Sequence, residues 1–528
     1  MGLISKKYKT EEEHNKNSRV RKTMLNARVN LFFYCLTLIL SFFSRKIFLE
    51  SLGADFIGLT GSIGSLLGFL NLAELGIGSA IGYVLYKPIF EKDKLKINEI
   101  ISVLGYLYRI VGVIILGAGI LLSCFLPLIF KDVEFDFPII YFAYFSFLFS
   151  SLIGYFINYR QTLLGADQRN YVVTAYFQTS NILKTVLQMI LAYYYGSYFV
   201  WICIEFIFGI IHSVILNWKI NQVYPWLKAD IKNGGALRHK YPEVIKYTKQ
   251  LFVHKIGEVA QSQVTVFLIY AFGSLHAVAY YGNYTIITSK LSGLISSLLG
   301  STTASVGNLI SEGDIERSHR VYWEMTAISF YLSGICAVSL YYLLPQFIVL
   351  WIGEEYLMSQ TILCLIITSF CLSLIRSATS QFKYGFGLFA DVWAPLAESS
   401  ILVLVSVIAG KIWGLEGVLL GGIVSVVIII CGWQAYYLFS QGFKKTVLSY
   451  IYQFTLNIIA LFGSILISSR LIIHFIYLGL DLTWWNWLMN AVIIISIHSI
   501  VSLCLMLLLL PGMRTLSKRF VNMIKMNY

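Results

Sequence analysis

The sequence predicts an all-α polytopic membrane protein of fourteen transmembrane helices, arranged as two parallel six-helix repeats followed by two further helices. Three observations carry this. The chain of 528 residues is 57% apolar and only 13% charged, where a soluble protein carries about a quarter charged residues. Stretch after stretch runs twenty or so residues with scarcely a charge, the length needed to cross ~30 Å of hydrocarbon. The pattern of stretches and loop lengths then repeats at an offset of about 220 residues. A soluble enzyme, a disulfide-stapled secreted scaffold and an ordinary nucleic-acid-binding domain are excluded.

In chain order, residues 1–26 form a polar, basic tail, too long and too charged for the n-region of a signal peptide. The first apolar stretch lacks a small-residue cleavage site and reads as an uncleaved span. Spans fall at about 27–49, 55–86, 98–130, 137–159, 170–194 and 197–218. The second set falls at about 247–271, 277–307, 320–350, 358–383, 388–410 and 414–440, with a last pair at 446–474 and 484–510. Every connection is short except Lys219–Lys246, which holds Pro225, Gly234-Gly235 and dense charge and reads as a linker. The expected organisation is a six-helix lobe at 27–218, a linker at 219–246, a second lobe at 247–440, helices thirteen and fourteen at 441–510, and a basic tail at 511–528.

The net charge of +13, from 40 basic and 27 acidic residues, has a topological reading that needs no nucleic-acid partner. With the N-terminus inside, thirty basic residues fall in cytoplasmic segments and five (Arg45, Lys46, Lys131, Lys411 and Arg470) on the other side. Short cytoplasmic loops carry such an excess of Lys and Arg, so both termini are expected inside. The C-terminal run Arg514–Lys525 reads as a basic helix lying on an anionic leaflet.

Between the halves, Gly53 and Gly61 match Gly273 and Gly282, Glu91-Lys-Asp93 matches Glu312-Gly-Asp314, Gln161 matches Gln381, and Ser180 matches Ser400. An even number of spans per half makes the repeat parallel, with the substrate path expected between halves. The eight cysteines lie in apolar stretches without CxxC spacing and read as small buried hydrophobes.

Polar residues recur at helical spacing inside several spans, so each set shares a face. Span one has Asn30, Tyr34, Thr37, Ser41 and Ser44/Arg45; span five has Gln178, Asn181, Lys184/Thr185 and Gln188. Span seven has Lys255, Glu258, Ser262 and Thr265; span eight has Asn283, Lys290 and Ser297; span ten has Ser369, Ser373, Arg376, Ser380 and Lys383. Lipid cannot satisfy such faces, so they line an interface or a water-filled cavity.

The embedded cations Arg109, Lys184, Lys255, Lys290 and Arg376, with Arg45 near a span end, each cost roughly 2.5–3.5 kcal/mol at a bilayer centre. Together they suit a cavity for an anion such as a phosphate or diphosphate. Snorkelling to the headgroups or structural pairing is the competing account, and Lys255 with Glu258, three residues on, can neutralise each other. Among the embedded acids, Glu74, Glu205, Glu258 and Glu398, the last precedes Ser399 and Ser400 and can carry a proton or hold sodium with hydroxyls. No P-loop, nucleophile elbow, HExxH or dinucleotide motif is present, so no cofactor is expected beyond possible Na+ or H+ coupling.

Asn71–Lys94 (NLAELGIGSAIGYVLYKPIFEKDK) and Tyr159–Val173 (YRQTLLGADQRNYVV) resemble the polysaccharide flippases, exporters of capsule and O-antigen repeat units within the multidrug/oligosaccharidyl-lipid/polysaccharide (MOP) superfamily. The resemblance implies a MATE-like V-shaped bundle with spans one, two, seven and eight at its front and a lipid-tail groove at spans thirteen and fourteen. It implies flipping of undecaprenyl-diphosphate-linked oligosaccharide from the cytoplasmic to the outer leaflet by alternating access, without enzymatic chemistry. The expected setting is the bacterial inner membrane, as a monomer among membrane lipids near glycan polymerase machinery. Arg45, Lys255 and Lys290 become candidate diphosphate contacts, and Glu258 and Glu398 candidate sodium ligands.

A cation-coupled multidrug antiporter of the same fold is the main alternative; it would favour an acidic, aromatic cavity and needs only twelve spans. A peptidoglycan-precursor flippase shares the fourteen-span layout. A membrane glycan polymerase or ligase would need a large external loop with catalytic Arg or His, and every external connection is short.

Overall fold

The computed structural model describes residues 2–70, 77–131, 133–167, 169–299, 306, 309–310, 313–388, 390–475 and 482–526; the side chains of 2–27, 30–31, 79, 83, 170–172, 250–262, 296–299, 475 and 520–526 lie outside that description. All regular structure among the described residues is helical. The chain forms two compact units, residues 1–263 and 264–528, which divide within one long helix.

The first unit begins with α1 (Gly2–Leu70), broken at Gly53, where φ is 81° and ψ is 161°. Glycine takes that conformation without a Cβ penalty, and the break separates the first two expected spans. There follow α2 (Ile77–Glu91), α3 (Lys94–Ser123), α4 (Phe137–Phe156), a short α5 (Gln161–Ala166), α6 (Asn170–Tyr195) and α7 (Tyr198–Val223). The helix α8 (Pro242–Phe272) carries the chain into the second unit. α1 lies along α6, which packs on α7, and α3 packs on α4. Phe56 of α1 stacks on Tyr198 at 4.6 Å and meets the edge of Trp201 at 5.5 Å, both from α7. The Tyr144 hydroxyl of α4 donates to the Gly119 carbonyl of α3 at 2.8 Å, satisfying a polar group that lipid could not.

The second unit continues with α9 (Leu275–Leu299), α10 (Ile315–Ile352), α11 (Gln360–Gly385), α12 (Trp393–Trp413) and α13 (Leu415–Phe443). The chain ends in α14 (Val447–Phe475), α15 (Trp484–Leu509) and α16 (Pro511–Met526). The end of α13 widens into π-helical turns at Val427–Gln434 and Leu438–Phe443. α10 is the spine of this unit, touching α11, α14, α15 and α16. An aromatic core of Tyr322, Trp323, Phe382, Phe439, Phe443 and Tyr450 fills one end. At mid-length, Gly334 of α10 leaves room for His498 of α15, whose Nδ1 shares a 2.7 Å hydrogen bond with the Ser468 hydroxyl of α14. The last two long helices are thus built into this unit and do not form a loose appendix.

Ten described helices are long and apolar enough to cross a membrane. The other expected spans fall on the end of α1 with α2, on α6, α8 and α9; Lys184 and Gln188 interrupt α6, and Lys290 interrupts α9. The internal repeat shows in the backbone. Asp93 caps α3 by accepting from the Lys96 amide at 3.0 Å, and Asp314 caps α10 by accepting from the Arg317 amide at 2.8 Å. Each follows a residue of positive φ, Lys92 at 56° and Gly313 at 78°. The aligned triplets Glu91-Lys-Asp93 and Glu312-Gly-Asp314 therefore end in the same device, an N-cap entered through a left-handed residue.

The cysteines are all free thiols. Only Cys336 and Cys371 are buried; Cys35, Cys364 and Cys504 sit on exposed helix faces, and Cys124 is exposed in the turn that ends α3. The buried reading of all eight is corrected: an apolar span has an outward side, and a thiol is apolar enough to occupy it.

Candidate functional site

Among the described residues, three cation–acid pairs stand inside the helical bundles. In the first unit, Lys184 of α6 reaches Glu205 of α7, with Nζ 2.6 Å from Oε1. The Gln188 amide, one turn along α6, donates to the other carboxylate oxygen at 3.0 Å. Both oxygens of Glu205 are occupied and the Lys184 charge is spent on it.

The second unit carries two such pairs, between α11 and the stretch that enters and begins α12. Lys383, at the end of α11, straddles Asp391, with Nζ 2.7 Å from each carboxylate oxygen. The side chains are 6% and 1% exposed. The Trp433 indole, from the π-helical turn of α13, donates to Asp391 Oδ2 at 3.3 Å, and the Lys383 ammonium lies 6.0 Å from the Tyr437 ring centroid. A wider helical turn that re-aims a side chain toward a buried charge is a common use of π geometry. Seven residues earlier on α11 stands Arg376, and seven residues after Asp391, within α12, stands Glu398. Here the nearest guanidinium and carboxylate atoms are 3.7 Å apart, with the side chains 32% and 9% exposed. That separation exceeds hydrogen-bond length, so the pair is electrostatic and open.

Of the expected substrate-binding residues, Lys184 is closed on Glu205, and Arg376 is joined with the expected coupling residue Glu398. Arg109 is exposed on α3, while Arg45 on α1 and Lys290 on α9 are half-buried. The side chains of Lys255 and Glu258, on α8, lie outside the described residues, as does Glu74. Many hydroxyls of the polar stripes turn back on their own helix: Thr37 donates to the Phe33 carbonyl at 2.7 Å, Ser41 to Leu38 at 2.7 Å, and Ser373 to Phe370 at 2.6 Å. Ser399 and Ser400 likewise donate to Pro395 and Leu396, which leaves only their lone pairs for a cation near Glu398.

Sequence reasoning placed Lys383 on a polar face and did not join it to Asp391. The available signal was the double heptad: cations at 376 and 383, acids at 391 and 398. It also missed that the two stretches resembling polysaccharide flippases meet. Gly78, Gly82 and Tyr86 of α2 face Gln161, Thr162 and Gly165 of α5 across an open concavity of about 460 Å³. Arg160 beside it holds the end of α7 through Asn217 at 2.8 Å and Asn221 at 2.9 Å. The Asn217 side-chain amide and the Ser213 hydroxyl both donate to the Asn158 side-chain Oδ1. The second stretch is therefore a structural tie as well as a pocket wall.

The arrangement is that of a multi-pass membrane protein of all-helical, two-unit build, its buried charges paired between helices. Comparison with solved structures names the fold. A lipid II flippase, MurJ, in an inward closed conformation matches at a TM-score of 0.65 and 17% identity, covering 92% of this chain and 99% of that one. A multidrug resistance transporter of the MATE family of the MOP superfamily matches in its inward-facing conformation at a TM-score of 0.52 and 14% identity, covering 80% of this chain and 99% of that one. In an outward-facing conformation of a transporter so described, the TM-score is 0.51 and the identity 16%, covering 80% of this chain and 96% of that one. No protein-family model matches the chain, and no curated protein sequence does. The fold is the one shared by that flippase and those MATE transporters.

Proposed function

We propose that this protein flips an undecaprenyl-diphosphate-linked oligosaccharide from the cytoplasmic to the outer leaflet of a bacterial inner membrane, by alternating access and with both termini cytoplasmic. One observation carries the choice: the likeness to the lipid II flippase covers 92% of the chain, against 80% for the multidrug transporters. The difference is comparable in length to α14 and α15 together, helices for which a pump of small cations has no need. The excess of embedded cations over acids supports the same choice, because a diphosphate needs compensating charge.

In this reading Arg376 is the foremost substrate contact, since its guanidinium keeps unused donors beside a carboxylate 3.7 Å away. A diphosphate reaching Arg376 removes the positive charge facing Glu398, which then takes a proton or a sodium ion, and this couples substrate to ion. Arg45, Lys255, Lys290 and Arg109 are the further contacts, Glu258 is the second coupling acid, and Lys184 contributes through its field because Glu205 holds it. A peptidoglycan-precursor flippase is the second reading, favoured by the nature of the protein matched at 0.65.

The deciding experiment reconstitutes the purified chain in vesicles holding a fluorescent isoprenyl-diphosphate oligosaccharide and follows its exposure to a membrane-impermeant glycosidase. Faster exposure than in protein-free vesicles is expected. Equal exposure together with proton-driven export of a cationic dye would establish the antiporter instead. Exposure of the muramyl-pentapeptide lipid alone would establish the second reading.

A further inference from the structure

The segment between α7 and α8 was expected to be a linker, yet it is fastened to α3 along its length. The Lys228 amide donates to Asn98 Oδ1 and the Asp230 amide to Ser102 Oγ, each at 2.8 Å. Gly234 lies so close to the Ser102 carbonyl and Tyr106 that a Cβ would collide with both. Lys240 then grips both oxygens of Glu99 at 2.8 and 2.7 Å, and the Tyr241 hydroxyl donates to the same carboxylate. Burial first, and the Glu99 hydrogen bond second, hold the Tyr241 phenol above its ordinary range, so it remains a donor.

This bracket does not engage the neighbouring cations, and Glu243, the acid on their own helical turn, forms no ion pair with them among the described residues. Arg238, His239, Lys246 and Lys249 line an open concavity of about 610 Å³ whose remaining walls are Pro242 and Ile245. Arg238 directs its Nε to His239 Nε2 at 3.4 Å, and neither it nor Lys246 nor Lys249 forms an ion pair among the described residues. Lys240, two residues from Arg238, is closed on Glu99. The fold thus spends one cation on rigidity and presents three more, on a fixed backbone, around a small apolar floor. The site stands where α8 begins, at one edge of the helical bundle.

We propose that this concavity binds the phosphate headgroup of an anionic membrane phospholipid, with Arg238, Lys246 and Lys249 on the phosphate and Pro242 and Ile245 against the first carbons of its chains. Basic clusters at the end of a spanning helix attract anionic headgroups, and a guanidinium adds directed hydrogen bonds. The apolar floor favours a lipid over a free anion, which would leave Ile245 in water. The proposal is independent of the transported substrate.

The test uses the purified full-length chain in detergent, titrated with phosphatidylglycerol or phosphatidylcholine and read by native mass spectrometry. Phosphatidylglycerol should bind the parent well above phosphatidylcholine. The triple variant Arg238→Gln/Lys246→Gln/Lys249→Gln should bind it about a hundredfold more weakly, three surface charges having been removed. Lys246→Arg/Lys249→Arg should stay within about twofold, and Lys219→Gln, on α7 outside the concavity, should match the parent. Should the triple variant not be monodisperse, Lys249→Gln alone should still weaken binding about fivefold. Equal binding of the two lipids by the parent, unchanged binding in the monodisperse triple variant or in Lys249→Gln alone, or full displacement of phosphatidylglycerol by millimolar inorganic phosphate would each overturn the proposal.

Discussion

Two charge pairs at the facing ends and flanks of α11 and α12 differ in what they leave undone. Lys383 and Asp391 are closed: both oxygens lie 2.7 Å from the ammonium, and a tryptophan indole adds a second hydrogen bond to Oδ2. Arg376 and Glu398 stand 3.7 Å apart with the guanidinium partly exposed. Seven residues are about two turns, so both cations share one face of α11, while Asp391 lies just before α12 and Glu398 within it. The helix pair is a ladder with one shut rung and one open rung. A shut rung has satisfied its own desolvation cost and offers nothing to a third party. An open rung keeps donors to give, at the cost of a weaker pair. Inside a membrane protein, the loose pair is therefore the functional candidate and the tight pair the structural one.

The largest effect is expected from breaking the shut rung on one side. Asp391→Leu leaves the Lys383 ammonium unpaired and nearly sealed from solvent, which should cost about 3–5 kcal/mol in unfolding of the purified protein. Replacing both, with Lys383→Met added, should recover stability to within about 1 kcal/mol of the parent. A single variant that costs less than about 1 kcal/mol would remove the distinction between the rungs.

Next comes the shut pair of the first unit. Glu205→Gln keeps an oxygen for Lys184 but not its charge, and should cost about 1–3 kcal/mol in the same unfolding measurement. Its transport rate, scaled to folded protein, should remain near that of the parent. A transport loss beyond the folding loss would instead move Lys184 among the direct substrate contacts.

The difference between the rungs also marks how far the sequence could be read. Span length and apolarity are one-dimensional properties, so the helical fold and its repeat were legible. The matched triplets ending in Asp93 and Asp314 do carry the same cap. Pairing is a property of register between helices, and no single-helix pattern contains it. Arg376 and Glu398 were each recognisable as embedded charges, but not as neighbours. Lys383 was harder to read, because a lysine at the end of a span ordinarily signals a loop. The polar stripes misled in part: Thr37, Ser41 and Ser373 satisfy themselves on the previous turn, so helical spacing of hydroxyls does not by itself mark a wet face.

The smallest effect on stability, and the most informative on function, belongs to the open rung. Arg376→Gln removes a charge whose partner is not hydrogen-bonded to it, so stability should change by less than about 1 kcal/mol. If the guanidinium binds diphosphate, flipping in the vesicle assay should fall by about tenfold or more, the worth of one charge-assisted contact. Arg376→Lys should recover little of it, because an ammonium lacks the planar fork that fits two phosphate oxygens. Ser399→Ala, beside the same carboxylate, should leave both stability and rate within experimental error, since its hydroxyl is already given to the Pro395 carbonyl. Should Ser399→Ala slow transport as much as Arg376→Gln, the position of the helix, and not the open guanidinium, would be what the substrate senses.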